Sequence, residues 1–238
     1  MRRFALILLL TLAGGFALAE TPNDKNAEDA QALKAQMMEA EGAVPPPEVL
    51  RLNPVEGAWA KYRLTDFKTQ TTREILIGVP DVNERPDGTE VWIEIQTKSA
   101  KGTSVILKVL YTTGMDGKGL VRRLVVKSGE HPAVELVDLP PVPKETPEPP
   151  GKYFLVDQEE IDVPAGTFDA EHSRFESTRG EVRELWFSES VPPFSLIRNL
   201  SSTSELELVG YGRDYMEKIS ETPVRLKGEK PPKPKAAK

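Results

Sequence analysis

Cysteine does not occur in the 238 residues. That excludes disulfide cross-links, thiol nucleophiles, iron–sulfur ligation and thiolate zinc sites together, leaving packed apolar side chains to hold the fold. Histidine is almost missing as well, with His131 and His172 the only imidazoles. A metal centre needs three or four converging ligands, so neither a metal ion nor a cofactor is expected. No Gly-x-Ser-x-Gly elbow occurs, and no glycine-rich phosphate loop precedes a helix, which removes the usual marks of serine hydrolases and nucleotide binders. Excess positive charge is lacking too. The formal net charge is −6, and without a basic stripe no nucleic-acid partner is expected.

What is present starts at the N-terminus. Arg2 and Arg3 precede an apolar run over residues 4–12, broken at Gly14 and Gly15 and closed by Ala17-Leu18-Ala19. A charged start, a short apolar stretch and small residues before the cut describe a secretory signal peptide over residues 1–19, cleaved between Ala19 and Glu20. The run is short for a bilayer span, so the mature chain is expected to be periplasmic or secreted and not an integral membrane protein. A lipoprotein would carry a cysteine after the signal, and none is there.

Residues 20–56 form a helix and a proline-rich lead-in. Asn26 caps a helix over 27–41, whose Ala30, Leu33, Met37 and Met38 recur at helical spacing before Gly42 and Pro45-Pro46-Pro47 end it. Such a helix serves as a lid or partner helix, or lies flat on a sheet.

From residue 57 to 212 the period changes to two. Strands are predicted over 59–65, 72–79, 90–98, 104–112, 120–127, 133–139, 153–162, 167–177, 182–188, 194–199 and 204–211. Val91, Ile93, Ile95 and Thr97 point one way while Trp92, Glu94 and Gln96 point the other, and Val105, Leu107, Val109 and Tyr111 repeat the scheme. Val121, Leu124 and Val125 break the alternation, which predicts a bulge or burial on both sides. Pro86-Asp87-Gly88, Ser128-Gly129 and Pro164-Ala165-Gly166 supply hairpin turns. The expected fold is mainly β: a curved antiparallel sheet or incomplete barrel of about eleven strands with one N-terminal helix. Residues 139–151 interrupt it with Pro140, Pro141, Pro143, Pro147, Pro149 and Pro150, a stiff extended connection. Residues 213–238 are read as an extension ending in a disordered basic tail from Lys227.

Chemistry-bearing residues are few. His131, before Pro132, reads as a turn residue. In Asp169-Ala170-Glu171-His172 the last two alternate across a strand and cannot chelate one ion together. Ser104 and Ser128 read as turn residues. Glu159-Glu160 and Asp162 are either a glycosidase-like carboxylate set or acidic residues on a solvated edge. Trp59, Trp92 and Trp186 offer a carbohydrate platform or core and rim packing. Asn199-Leu200-Ser201 matches a glycosylation acceptor.

The C-terminal half reads Glu184-Leu185-Trp186-Phe187-Ser188, Val191-Pro192-Pro193, Phe194-Ser195-Leu196-Ile197-Arg198 and Glu205-Leu206-Glu207-Leu208-Val209-Gly210-Tyr211, preceded by Val163-Pro164-Ala165-Gly166-Thr167-Phe168. This series resembles the late hairpins of periplasmic lipoprotein carriers of the LolA/LolB type over residues 153–212, and over 57–138 by strand spacing. The resemblance implies an unclosed barrel, lidded by helices, whose apolar cavity holds lipoprotein acyl chains; Arg198 is its one polar match. The leading expectation is therefore a non-enzymatic bacterial envelope protein that binds a hydrophobic ligand, a lipid or the acyl part of a lipoprotein. Val91, Ile93, Ile95, Leu107 and Val109 are the candidate cavity residues. The alternative is a structural or interaction subunit with an envelope protein partner, and a carboxylate hydrolase ranks third.

Overall fold

The computed structural model describes residues 51–98, 102–114, 119–136, 151–178 and 180–226. The export segment with Ala19 and Glu20, the 27–41 helix, most of the proline connection and the tail from Lys227 lie outside the described residues.

Among the described residues twelve strands form one sheet: β1 (Trp59–Asp66), β2 (Thr71–Arg85), β3 (Gly88–Lys98), β4 (Ser104–Gly114), β5 (Gly119–Ser128), β6 (Val134–Leu136), β7 (Gly151–Val163), β8 (Gly166–Ser177), β9 (Val182–Phe187), β10 (Leu196–Ser201), β11 (Ser204–Gly212) and β12 (Val224–Leu226). Their order in space is β12-β6-β5-β4-β3-β2-β1-β11-β10-β9-β8-β7. Two meanders, β1–β6 and β7–β11, are thus joined where β1 pairs antiparallel with β11. The end strands β12 and β7 do not pair with each other, so the sheet stays open.

The expectation of about eleven antiparallel strands is corrected by one. β12 lies at the end of what read as an irregular extension and pairs parallel with β6. Three residues are too few to show a period in the sequence. β2 is also longer than predicted. It passes through Pro80 because the register with β3 shifts between Gly78 and Asp81, and a bulge tolerates a residue that has no N–H to donate. The irregular alternation in β5 has the predicted cause. Leu110 pairs with Arg123 and Tyr111 with Val121, leaving Arg122 as the extra residue. Val125 is buried on the face opposite Leu124 and Val126.

One apolar cluster runs through both meanders, from Ile77, Ile93 and Val109 to Phe175, Leu185, Phe194 and Leu208. The long β7–β8 hairpin helps enclose it. Gly166, at φ 133°, takes a backbone conformation open to glycine and lets the chain reverse after Pro164. The tip then rests on β11: Ala165 N donates to Leu208 O at 3.3 Å, and the Phe168 ring lies 5.7 Å from that of Tyr211.

The opposite, outer face is polar and carries a strap, residues 213–226. Tyr215 N donates to Gly57 O at 2.8 Å, Trp59 Nε1 to Asp214 Oδ1 at 2.6 Å and Val224 N to Ala133 O at 2.8 Å. Ile219 is buried against Ile106, Val125 and Ala133 in a second apolar cluster on this side.

Candidate functional site

The five predicted cavity residues fall on one face of β3 and β4. Val91 pairs with Tyr111, Ile93 with Val109 and Ile95 with Leu107, and β5 continues the row through Leu124 and Val126. Their exposures run from 0% at Val91 to 4% at Leu107, so all five belong to the main apolar cluster. Each such side chain contributes about 1.5–3 kcal/mol on burial. Among the described residues three buried side-chain polar atoms have no hydrogen-bond partner: Tyr111 Oη and Ser128 Oγ on β4 and β5, and Asn199 Oδ1 on β10. Burial pushes the Tyr111 phenol up to about 12, and a buried orphan hydroxyl is costly. Tyr62, equally buried, differs in that its hydroxyl donates to Leu196 O at 3.0 Å.

The outer face holds a pocket of about 410 Å³ between the strap and β3–β5, with Trp92, Lys108, Arg123, Asp81 and Glu217 among its lining residues. Its cations are engaged. Lys108 Nζ donates to Ile219 O at 2.9 Å and pairs with Glu217, while Arg123 Nε meets Glu135 Oε1 at 2.6 Å. Both cations also sit over the Trp92 ring, at 5.0 and 5.2 Å from its centre. Burial holds the Lys108 ammonium below its usual range, against the opposing pull of Glu94. Glu94 itself is fully buried. Its Oε2 accepts from the Tyr215 hydroxyl and Lys218 N, each at 2.8 Å, and its Oε1 accepts from Ile219 N at 3.0 Å.

A third group lies on the other meander, at the solvent-exposed margin of the main apolar cluster to which Trp186 belongs. The register shift that skips Val156 sets Asp157 directly opposite His172, and His172 in turn stands opposite Trp186, which faces Arg198. One row of side chains thus crosses four strands. The imidazole stacks on the Trp186 ring at 4.5 Å, and Arg198 lies 5.4 Å from the ring's centre while pairing with Glu205. His172 Nε2 meets Glu184 Oε2 at 3.0 Å, and Nδ1 lies 3.2 Å from Glu159 Oε1 and 3.5 Å from Asp157 Oδ1. Trp186 Nε1 donates to Glu159 Oε1 at 2.6 Å.

Glu171 and His172 separate as the strand period requires. Glu171 pairs with Arg51, whose guanidinium lies 4.1 Å from the Phe187 ring centre, and accepts from the Ser173 hydroxyl. The Glu159-Glu160-Asp162 set does not converge: Glu159 joins His172, Glu160 pairs in register with Asp169, and Asp162 accepts from the Thr167 hydroxyl. The three tryptophans share no platform. Trp59 packs over Gly210 and Gly212 near the strap, Trp92 floors the pocket and Trp186 sits under His172. His131 and Ser128 share a turn, and Ser104 accepts from Gln96 Nε2. Asn199 is buried, so its acceptor motif is not presented to solvent. Sequence reasoning missed Asp157 as a neighbour of His172. The hairpin register places these residues near one another, but the skipped Val156 that brings them onto one face has no mark in the sequence.

No family model and no curated protein matches the chain. Two solved structures are similar to it in outline. One is a Bacteroides fragilis protein with a YmcC-like fold, assigned as exported: 14% identity, TM-score 0.43, covering 69% of this chain and 99% of its own. The other is a Parabacteroides distasonis protein assigned as a lipoprotein, also at 14% identity, with TM-score 0.40 and the same coverages of 69% and 99%. Identities this low transfer no residue roles.

Proposed function

We propose that this chain is an exported protein of the bacterial envelope, periplasmic or secreted, that works by binding rather than catalysis. Its ligand is hydrophobic, a lipid or the acyl part of a lipoprotein, in the manner of the LolA/LolB-type carriers. The observation that carries this reading is the apolar face shared by β2–β6 on a sheet that never closes. Strand pairing does not seal such a face, and since its predicted cavity side chains are packed at 0–4% exposure, an acyl chain enters by displacing the packing over them without breaking a barrel. The unpartnered Tyr111 Oη beside Val91 adds a donor for a ligand's polar end. Export rests on residues 1–19. Lipids extracted from protein purified out of its native envelope, read by mass spectrometry, test the proposal. Co-purified acyl lipids and uptake of a fluorescent fatty acid are expected; neither occurring refutes it.

A second reading, an interaction subunit, is favoured by the free edge. Among the described residues nothing pairs with the outer side of β7, which exposes Phe154, Leu155 and Val156 in succession. An exposed apolar edge strand is a ready template for a partner. Leu155→Asp lowering retention in an envelope complex, with lipid uptake unchanged, selects this reading.

A further inference from the structure

We propose that His172, Asp157 and Glu159 form a site for a divalent transition-metal ion of the zinc type on the solvent-exposed part of the β7–β8 hairpin. The bulge at Val156 is what builds it. Without the skipped residue Asp157 would face away from the imidazole; with it, Asp157 stands opposite His172, and Glu159 follows two residues on along the same face.

Three ligand atoms gather on this face. His172 Nδ1 lies 3.2 Å from Glu159 Oε1 and 3.5 Å from Asp157 Oδ1, and the three lie within 4.8 Å of one another. Zinc bonds of about 2.0–2.2 Å call for ligand atoms about 3–4 Å apart, which both Nδ1 separations meet. Glu184 engages the other ring nitrogen at 3.0 Å, so Nδ1 is the nitrogen turned toward the two carboxylates.

The surroundings fix the ligands in place. Glu184 on the far nitrogen makes the carboxylate–histidine–metal arrangement that sets the tautomer and strengthens the ligand, while Arg174, 3.8 Å from Glu184, steadies that carboxylate. The Trp186 N–H holds Glu159 and its ring braces the imidazole. Asp157 and Glu159 are 56% and 41% exposed, so the remaining coordination position is open to water and the ion exchanges with solvent. One imidazole with two carboxylates suits zinc, and the same donors accept cobalt as a spectroscopic stand-in.

Calorimetric titration of the purified chain with zinc chloride at neutral pH is the test, with cobalt absorption and tryptophan fluorescence as second readouts. One ion per chain is expected, with tetrahedral cobalt bands and a fluorescence change from the stacked Trp186. His172→Ala and Asp157→Asn each lower the affinity at least tenfold. Glu184→Gln, which touches no metal, lowers it about tenfold and leaves the cobalt spectrum tetrahedral. Asp157 is a solvated side chain, so Asp157→Asn keeps the fold and decides the matter even where His172→Ala does not fold. No stoichiometric binding by the unaltered chain, or binding that Asp157→Asn leaves unchanged, overturns the proposal.

Discussion

Removing the Glu94 carboxylate should release the strap. The carboxylate is fully buried and accepts from the Tyr215 hydroxyl and the backbone N–H groups of Lys218 and Ile219, with Lys108 Nζ 3.9 Å away. In Glu94→Ala three donors lose a charged acceptor and a half-buried ammonium loses one of its counter-charges. Hydrogen bonds to a charged group contribute roughly 1.5–3 kcal/mol each, and stranding one member of a buried charge pair costs about 3–5 kcal/mol. These terms do not add. Tyr215, Lys218 and Ile219 all regain water once the strap lifts, so only Lys108, which then also loses Glu217 and the Ile219 carbonyl, is left for the protein to satisfy. The measured loss is therefore capped at the free energy with which residues 213–226 dock, a part of the roughly 5–15 kcal/mol that holds a typical domain together.

Two assays separate undocking from global unfolding. Amide exchange by mass spectrometry should show Tyr215–Ile219 losing protection in Glu94→Ala while β3 and β4 retain theirs. Urea unfolding should show a lower midpoint and a smaller slope, because Ile219, Ile106 and Val125 are already exposed before the main transition. Gly78→Ala should weaken docking by a separate route, since a Cβ there would lie 2.3 Å from the Tyr215 ring, and the ring must move off the sheet. Full protection of the strap in Glu94→Ala, with a stability change below about 1 kcal/mol, would refute the reasoning that this carboxylate is the clamp.

The two buried tyrosines should respond with opposite signs: Tyr62→Phe removes a bond to Leu196 O and costs about 1 kcal/mol, whereas Tyr111→Phe removes an orphan hydroxyl and stabilises by about 1 kcal/mol, both read from denaturant midpoints. For pH dependence, hydrogen bonds from Arg123 and Arg225 hold Glu135 below its ordinary 4.5, and those from Lys127 and Ala133 N hold Glu221 below the same value. A depressed carboxyl contributes stability above its unfolded value and loses it as pH falls through the folded one. The β6–β12 end should thus be steady from about pH 5 upward and loosen in acid, and Glu135→Gln should flatten the acid limb of a thermal-melt series.

The meander was legible because strand and turn signals alternate so regularly here. Val91, Ile93 and Ile95 against Trp92, Glu94 and Gln96 expose the pleat of β3 directly, and its partner β4 does the same. What stayed hidden depends on register and on long-range contacts. Glu94 reads as a solvated outward residue, and only the strap returning from residues 213–226 turns it into the most buried carboxylate of the described residues. The bulge in β5 announced itself through Val121, Leu124 and Val125, because an apolar pattern that changes phase leaves a trace. The bulge in β7 left none, since Phe154, Leu155 and Val156 are all apolar and all exposed, so a skipped residue among them alters no pattern.

The two faces of the sheet divide the chemistry. The inner face over β3–β5 is apolar through Val91, Ile93, Ile95, Leu107, Val109, Leu124 and Val126, with the Tyr111 and Ser128 hydroxyls set among them. The outer face satisfies its charges internally: Lys61 with Glu74, Arg63 with Glu207, Arg198 with Glu205 and Arg123 with Glu135. Such pairs are worth little each at a solvated surface. Around His172 the balance breaks, for three carboxylates converge on one imidazole. The phase of the β7 bulge decides whether Asp157 stands on that face with His172 and Glu159.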